Sequence, residues 1–143
     1  DVYKRQELYE VIMEKAVCAK TAVVSPKVID EINILQATYE AMRQAISMLE
    51  PQPTLLLNDA VNIPGVPMKQ VSIIKGDAKS ISIGAASIIA KVTRDAMMVE
   101  YDKIYPEYDF ASNKGYGSAK HIEAFMKYGP CPIHRKSFIH NFI

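Results

Sequence analysis

The sequence has no tryptophan, only two cysteines, and no apolar run long enough to cross a membrane. A membrane-spanning helix needs about 20 consecutive apolar residues. The amino terminus also lacks the basic segment followed by an apolar one that marks a secretory signal. Cys18 and Cys131 are too far apart for a zinc-ligand or redox spacing. We therefore expect free, mostly buried thiols, a reducing and cytoplasmic compartment, and no membrane partner.

Neither sign of charge dominates, because 17 basic and 16 acidic side chains leave a formal net charge of +1. Any attraction to nucleic acid must then be local rather than a property of the whole molecule. The 143 residues, 49% of them hydrophobic, are enough for one domain with a core but too few for two ordinary domains. We expect residues 1–143 to form a single domain.

Apolar periodicity predicts helices in the first third of the chain. Helical spacing begins at Leu8, and residues 21–24 are typical of a short strand. Ser25 and Pro26 then indicate the cap and first turn of another helix. Apolar residues recur at spacings of three and four over residues 35–49, which predicts a helix with a core-facing side that ends before two prolines.

Two strands and two further helices are predicted in the rest of the chain. The apolar run at 54–57 suits a strand covered on both faces, and residues 70–74 suit a second strand. A long helix is predicted over 81–101, and a last one from a cap at Ser118 to Gly129. Ligand sites of open α/β sheets gather at the carboxyl ends of strands.

Two aspartates stand at such places. Asp59 follows the first of these strands, and Asp77 lies 18 positions later (77 minus 59), where a strand gives way to a helix. Mg²⁺ prefers oxygen ligands and often binds through one or two carboxylates plus a substrate phosphate. Such ions activate water for phosphodiester cleavage, commonly as a pair about 3.5–4 Å apart. A turn role for Asp59 and a helix-cap role for Asp77 are the ordinary alternatives. Asp95, inside the long helix beside Arg94, is expected to form a structural ion pair.

The carboxyl-terminal third indicates the substrate. Residues 101–143 hold nine of the twelve aromatic residues and all three histidines, with a modest excess of basic side chains. Basic groups can hold phosphates, and contact with the 2′-hydroxyl distinguishes RNA from DNA. Tyr116, between Gly115 and Gly117, is the best candidate for that contact, although simple packing in a loop is equally compatible with the pattern. His121 and His134 lack a matching ligand set, so we expect hydrogen-bonding or surface roles rather than metal binding.

A series of ordered motifs runs along the chain. They are Asn33-Ile34-Leu35-Gln36-Ala37-Thr38, Lys75-Gly76-Asp77-Ala78-Lys79-Ser80, Ala85-Ala86-Ser87-Ile88-Ile89-Ala90-Lys91-Val92-Thr93-Arg94-Asp95, Tyr105-Pro106, Lys114-Gly115-Tyr116-Gly117, His121, and Gly129-Pro130-Cys131-Pro132-Ile133-His134-Arg135. Together they resemble ribonuclease HII of the bacterial type, from about Glu7 onward. Relatives of the HIII type, which share the fold, are the nearest alternative.

This resemblance implies an α/β, ribonuclease H-like fold with a helical carboxyl-terminal part. It implies an endonuclease that cuts the RNA strand of RNA/DNA hybrids and cuts at single ribonucleotides embedded in duplex DNA, with Mg²⁺ or Mn²⁺ as cofactor. Of the four acidic residues used in the family, the third falls on Asp59 and the fourth on Asp77, as catalytic metal ligands. The tyrosine that senses the ribose 2′-hydroxyl falls on Tyr116.

The family's opening strand has no counterpart in the sequence. That strand carries adjacent aspartate and glutamate ligands and a glycine-arginine-glycine turn, so we expect a fold truncated at its amino terminus. Uncovered strand edges would make it marginally stable or self-associating. Residues 1–6 match the family poorly and resemble the translation of a transposon end used as a sequencing adapter, so we expect them to be non-native. The chain is then either an enzyme whose missing strand is supplied from elsewhere or a catalytically inactive fragment with at most weak nucleic-acid binding.

Overall fold

Helices make up most of the secondary structure, around one small parallel sheet. The computed structural model describes residues 2–139, with the side chain of Val2 left aside. In chain order the elements are α1 Val2–Lys15, α2 Pro26–Ile32, α3 Ile34–Ser47, β1 Leu55–Asp59, β2 Lys69–Ile73, α4 Gly76–Lys79, α5 Ile81–Ile104, a 3-10 helix Pro106–Tyr108, α6 Phe110–Asn113, α7 Ala119–Tyr128 and α8 Lys136–Ile139. Within the described residues, none of these helices has both the length and the apolar character needed to span a membrane.

Side-chain caps determine several helix ends as predicted. The Ser25 hydroxyl accepts the N–H of Val28 at 3.3 Å, and Pro26 is the first residue of α2. Ser118 caps α7 in the same way, and the helix ends at Gly129, which has φ 76°. Such caps satisfy amides that have no partner within the helix. The positive φ favours glycine, so local sequence alone decides both ends of α7.

β1 and β2 form a two-stranded parallel sheet, the one sheet in the part of the chain that the structure describes. Its register pairs Leu57 with Val71 and Asp59 with Ile73, and Asp59 is the last residue of β1. Both predicted strands are confirmed. The prediction that β1 is covered on both faces is wrong, since Leu55 is 46% and Leu57 39% exposed. No described element fully covers the side of the sheet that carries these two leucines.

Two other predictions fail for a related reason. Residues 21–24 are not a strand, and the whole segment 16–25 has neither helix nor strand. A strand needs a neighbour with which to exchange backbone hydrogen bonds, and among residues 2–139 none pairs with this segment. The apolar side of α3 is likewise not a fully buried core face, because Leu35 is 51% exposed and Met42 and Ile46 are only half-buried, while the buried residue of α3, Ala37, lies on another side of the helix.

The best-covered core lies between α5, the 3-10 helix and α6. Met98, Tyr108 and Phe110 form this buried cluster, and the ring of Tyr108 stacks on Phe110 with centroids 5.4 Å apart. The Tyr108 hydroxyl donates to the Gly129 carbonyl at 2.6 Å, which ties α7 to the cluster. Burial raises the pKa of the Tyr108 phenol, so it stays a neutral hydrogen-bond donor.

Candidate functional site

Asp59 and Asp77 are linked through the backbone of Gly76. Asp59 Oδ1 accepts the Gly76 N–H at 2.9 Å, and Gly76 is followed directly by Asp77 in the first turn of α4. Consecutive Cα atoms are about 3.8 Å apart, so this hydrogen bond holds both aspartates in one region at the ends of β1 and β2. Both side chains are exposed. Within residues 2–139, Asp59 Oδ2 and the Asp77 carboxylate make no other hydrogen bond, which leaves them available to a ligand.

Glycine at position 76 allows this close approach. A Cβ there would lie 2.7 Å from Ile83 Cδ1 and 3.3 Å from Asp59 Cα, so the Ile83 side chain would have to move and the Asp59 backbone to give slightly. The ordinary interpretation of Asp77 as a helix cap does not hold. It caps neither α4 nor α5, because the cap of α5 is Ser80, whose hydroxyl accepts the Ile83 N–H at 3.3 Å.

The carboxylates of Asp59 and Asp77 suit a hard divalent cation, although they provide only two protein side chains as ligands. Carboxylate oxygens are ligands that Mg²⁺ and Mn²⁺ prefer. No group of three or more histidine, cysteine, aspartate or glutamate side chains in the described chain is arranged to hold a metal. Asp59 and Asp77 with water and a substrate phosphate are enough for one Mg²⁺. A pair of ions would need further ligands.

Asp95 is an ion-pair residue, as predicted, but its partners differ from the neighbouring arginine. Its carboxylate lies 3.4 Å from Lys91 Nζ and 3.7 Å from an Arg5 guanidinium nitrogen. Arg94 instead donates to the backbone carbonyl of Lys114 at 3.0 Å. This bond ties α5 to the turn that carries Tyr116.

Tyr116 lies in that turn, between α6 and α7, with 62% of its surface exposed. Gly115 before it has φ 87°, in the left-handed region that favours glycine. A Cβ on Gly115 would lie 3.1 Å from Met98 Cε and 3.2 Å from Arg94 Nη2, so the turn packs closely against α5. Lys91 Nζ is 5.5 Å from the centre of the Tyr116 ring, within cation–π range. The backbone of the turn packs against the protein, while the ring stays accessible beside a cation.

Two histidines connect to the same turn, a link that sequence reasoning missed. His121 Nδ1 is 2.8 Å from the Tyr116 carbonyl oxygen, and His121 Nε2 is 2.9 Å from His134 Nε2. His134 Nδ1 accepts the Cys131 N–H at 2.9 Å. Burial lowers the pKa of His134, and the nearby His121 adds to the effect. The predicted hydrogen-bonding role is confirmed for both, but His121 is buried and His134 half-buried rather than at the surface.

The two thiols are free, as expected, and both are half-buried. Burial raises the pKa of Cys131. A thiol held in its protonated form is a poor nucleophile, so nothing in its surroundings points to a chemical role for Cys131.

The fold is that of an α/β protein of the ribonuclease H-like class. The family model for ribonuclease HII matches residues 3–141. A protein named Ribonuclease HII from Lachnoclostridium phytofermentans is 66% identical over 138 residues, which are 96% of this chain and 54% of that protein. Another of that name, from Clostridioides difficile, is 56% identical over 140 residues, 98% of this chain and 55% of that protein.

A solved structure agrees with these matches. The crystal structure of the ribonuclease H2 from Pyrococcus horikoshii OT3 superposes with a TM-score of 0.72 at 25% identity, over 94% of this chain and 71% of that chain. The chain belongs to the ribonuclease HII family. It spans about half the length of the curated relatives that it matches.

Proposed function

We propose that the protein is a type 2 ribonuclease H, a cytoplasmic endonuclease that acts by metal-assisted hydrolysis. Its substrates would be RNA/DNA hybrids, of which it cuts the RNA strand, and DNA duplexes with embedded ribonucleotides. The observation that carries the proposal is the hydrogen bond from Gly76 N–H to Asp59 Oδ1 at 2.9 Å, which keeps Asp59 close to Asp77. Family membership supports the same activity.

Asp59 and Asp77 are the metal ligands in this proposal, for Mg²⁺ or Mn²⁺. A bound ion would lower the pKa of a water and offset the charge that develops on the scissile phosphate. The Gly76 amide holds Asp59 Oδ1, which restricts rotation of that carboxylate and leaves Oδ2 for the cation. Asp77 contributes from the first turn of α4, whose position is fixed by the same bond.

Tyr116 is the proposed ribose-recognition residue. Its phenol can exchange a hydrogen bond with a 2′-hydroxyl, which a deoxyribose lacks, and its ring can pack on the sugar. The 62% exposed surface supports that role. Lys91 Nζ, 5.5 Å from the ring centre and 3.4 Å from the Asp95 carboxylate, is a cation that the adjacent phosphate would share with Asp95.

Cleavage of a labelled DNA duplex with a single ribonucleotide tests this proposal. We expect the purified chain to cut at the ribonucleotide with Mg²⁺ or Mn²⁺, and Asp59→Asn or Asp77→Asn to lose activity. Loss of a group that only supports a metal ligand costs roughly 10- to 100-fold, so loss of a ligand should cost at least about 100-fold. Asn at 59 keeps an oxygen for the Gly76 amide, so the local fold should survive. Asp109→Asn removes a partly exposed carboxylate elsewhere, near Lys120 at 3.8 Å, and should leave cleavage unchanged.

Absence of cleavage would favour the other function considered from the sequence. A folded chain that leaves both a hybrid and a ribonucleotide-containing duplex intact with either ion would be an inactive fragment with at most weak nucleic-acid binding. Circular dichroism on the same sample establishes that the chain is folded. Cleavage that persists in Asp59→Asn would instead overturn the assigned metal ligand.

A further inference from the structure

We propose that His121 and His134 are positioning residues for Tyr116. The two neutral imidazoles form a hydrogen-bonded chain that holds the Tyr116 carbonyl and so fixes the turn that presents its ring. The inference rests on the proposed function of Tyr116 in ribose recognition. Neither histidine touches the proposed metal ligands, so their role would be separate from the hydrolysis itself.

The groups at the two ends of this hydrogen-bonded series determine which ring nitrogen of each histidine carries the proton. A backbone N–H only donates, so the Cys131 N–H at 2.9 Å makes His134 Nδ1 an acceptor. The neutral His134 ring then carries its proton on Nε2 and donates it to His121 Nε2 at 2.9 Å. His121 must therefore carry its own proton on Nδ1, which donates to the Tyr116 carbonyl at 2.8 Å. Every ring nitrogen has one defined role.

A positive charge on either histidine ring would break one of these hydrogen bonds. A protonated His134 would place Nδ1–H against the Cys131 N–H, and a protonated His121 would place two Nε2–H groups against each other. Burial also opposes a charge on His134, and it lowers the pKa of that ring. Three aromatic rings meet the histidine pair in T-shaped arrangements, at centroid distances from 4.9 to 5.4 Å: Tyr108, Phe110 and Phe125.

The hydrogen-bonded series through the two histidines ends at the Tyr116 carbonyl, whose capacity to accept hydrogen bonds is filled. The Tyr116 carbonyl also accepts the Ser118 N–H at 2.9 Å, so both of its lone pairs are used. The Tyr116 N–H donates to the Asn113 carbonyl at 3.0 Å. With both polar backbone groups held, only the exposed side chain retains freedom. A recognition residue ordered in advance loses less entropy when its ligand binds.

Nitrogen-15 NMR of the histidine rings tests the hydrogen-bond assignment without any nucleic acid. At neutral pH we expect His134 to be neutral with its proton on Nε2, and His121 to be neutral with its proton on Nδ1. A charged ring, or the opposite tautomer in either residue, would overturn the proposal. This result is independent of cleavage, so it is distinct from any failure of the proposed function.

Two nearly isosteric variants test the effect on Tyr116. His121→Asn keeps an N–H donor near the position of Nδ1, whereas His121→Leu has the same branched shape without a donor. The readout is the ratio of affinities for a duplex with one ribonucleotide and for the all-DNA duplex, measured by fluorescence anisotropy in EDTA so that nothing is cut. We expect His121→Leu to bring this ratio close to one without changing all-DNA affinity, and His121→Asn to keep most of the preference.

A core truncation remote from the histidines provides the control for lost stability. Ile63, between β1 and β2, is buried, so Ile63→Ala should weaken the fold but leave the affinity ratio intact. If His121→Leu weakens both duplexes equally, as a purely structural change would, the histidines do not position Tyr116. If the unaltered chain shows no preference, the proposed function of Tyr116 fails, and amide exchange decides the positioning role. Exchange of the Tyr116 N–H should then be at least tenfold faster in His121→Leu than in His121→Asn, and equal rates would overturn the inference.

Discussion

Gly76 is the residue at which the backbone packs against a proposed metal ligand. A methyl group added in Gly76→Ala has to displace Ile83 Cδ1, which would otherwise lie 2.7 Å away, and presses on Asp59 Cα at 3.3 Å. Overpacking of this kind costs about 1–3 kcal/mol, so we expect a lower free energy of unfolding in urea. Gly117→Ala is the matched control, because its new Cβ would meet only Ile122 Cδ1 at 4.0 Å. Equal unfolding free energies in the two variants would contradict the tight packing at Gly76.

His134 makes stability depend on pH on the acid side of neutrality. Burial lowers its pKa below the ordinary value of 6.5, so just below pH 6.5 the unfolded chain binds a proton that the folded chain does not. The free energy of unfolding should then decrease as the pH falls below about 6.5. The pKa values of Asp30 and Glu40 are also lowered, but from 3.8 and 4.5, so their effects begin in more acidic solution. Urea unfolding between about pH 5.5 and 7.5 measures the slope, and His134→Gln, which binds no proton there, should flatten it.

Among the elements, α8 is held to α2 by a single carboxylate. Asp30 Oδ2 accepts the Lys136 N–H at 3.0 Å, and Oδ1 accepts the Ser137 N–H at 2.9 Å and the Ser137 hydroxyl at 2.7 Å. These bonds, led by the Ser137 amide, lower the pKa of Asp30. Asp30→Ala should therefore speed hydrogen exchange at the amides of Lys136 and Ser137. Glu31→Ala, on the same helix, should leave that exchange unchanged, and slow exchange in both variants would disprove the link.

α5 connects the two parts of the proposed site. Ile83 lies next to Gly76, and Lys91 lies beside the ring of Tyr116. Eight residues (91 minus 83) separate these two contacts, which is about 12 Å along a helix and about 80° around its axis. One rigid element therefore sets the spacing between the proposed metal ligands and the proposed ribose contact.

The helix ends were predictable from sequence because their signals are local. Ser118 and Gly129 define the two ends of α7 through local interactions that do not depend on distant parts of the chain. The strand at 21–24 was wrong because a strand depends on a partner from elsewhere in the chain. The places of Asp59 and Asp77 followed from strand and helix patterns, but the bond from Gly76 to Asp59 spans 17 positions and the contact between the two histidines spans 13. Helix and strand periodicities relate residues only a few positions apart, so they cannot reveal contacts over such distances in the sequence.

At the scale of the whole molecule, the described chain leaves one side of its sheet partly open. Side chains alternate between the faces of a strand, so Leu55 and Leu57 share a face, and Val71 lies opposite Leu57 in the neighbouring strand. These three are 39–46% exposed. In addition, each strand of a two-stranded sheet has one edge that its partner does not cover. Apolar surface beside open backbone groups favours pairing with another copy.

We therefore expect the chain to associate with itself as its concentration rises. Sedimentation velocity over a concentration series measures this directly. The double variant Leu57→Lys, Val71→Lys places two charges side by side on the open face, so association should decrease. Leu57 and Val71 are only 39% and 40% exposed and the two paired lysines repel each other, so circular dichroism establishes that the variant is folded. Met126→Lys, at a 64% exposed residue of α7, adds one charge away from the sheet and should associate like the unaltered chain. A chain that stays monomeric at every concentration and melts sharply at high temperature would mean that the open face of the sheet is stable in water as it stands.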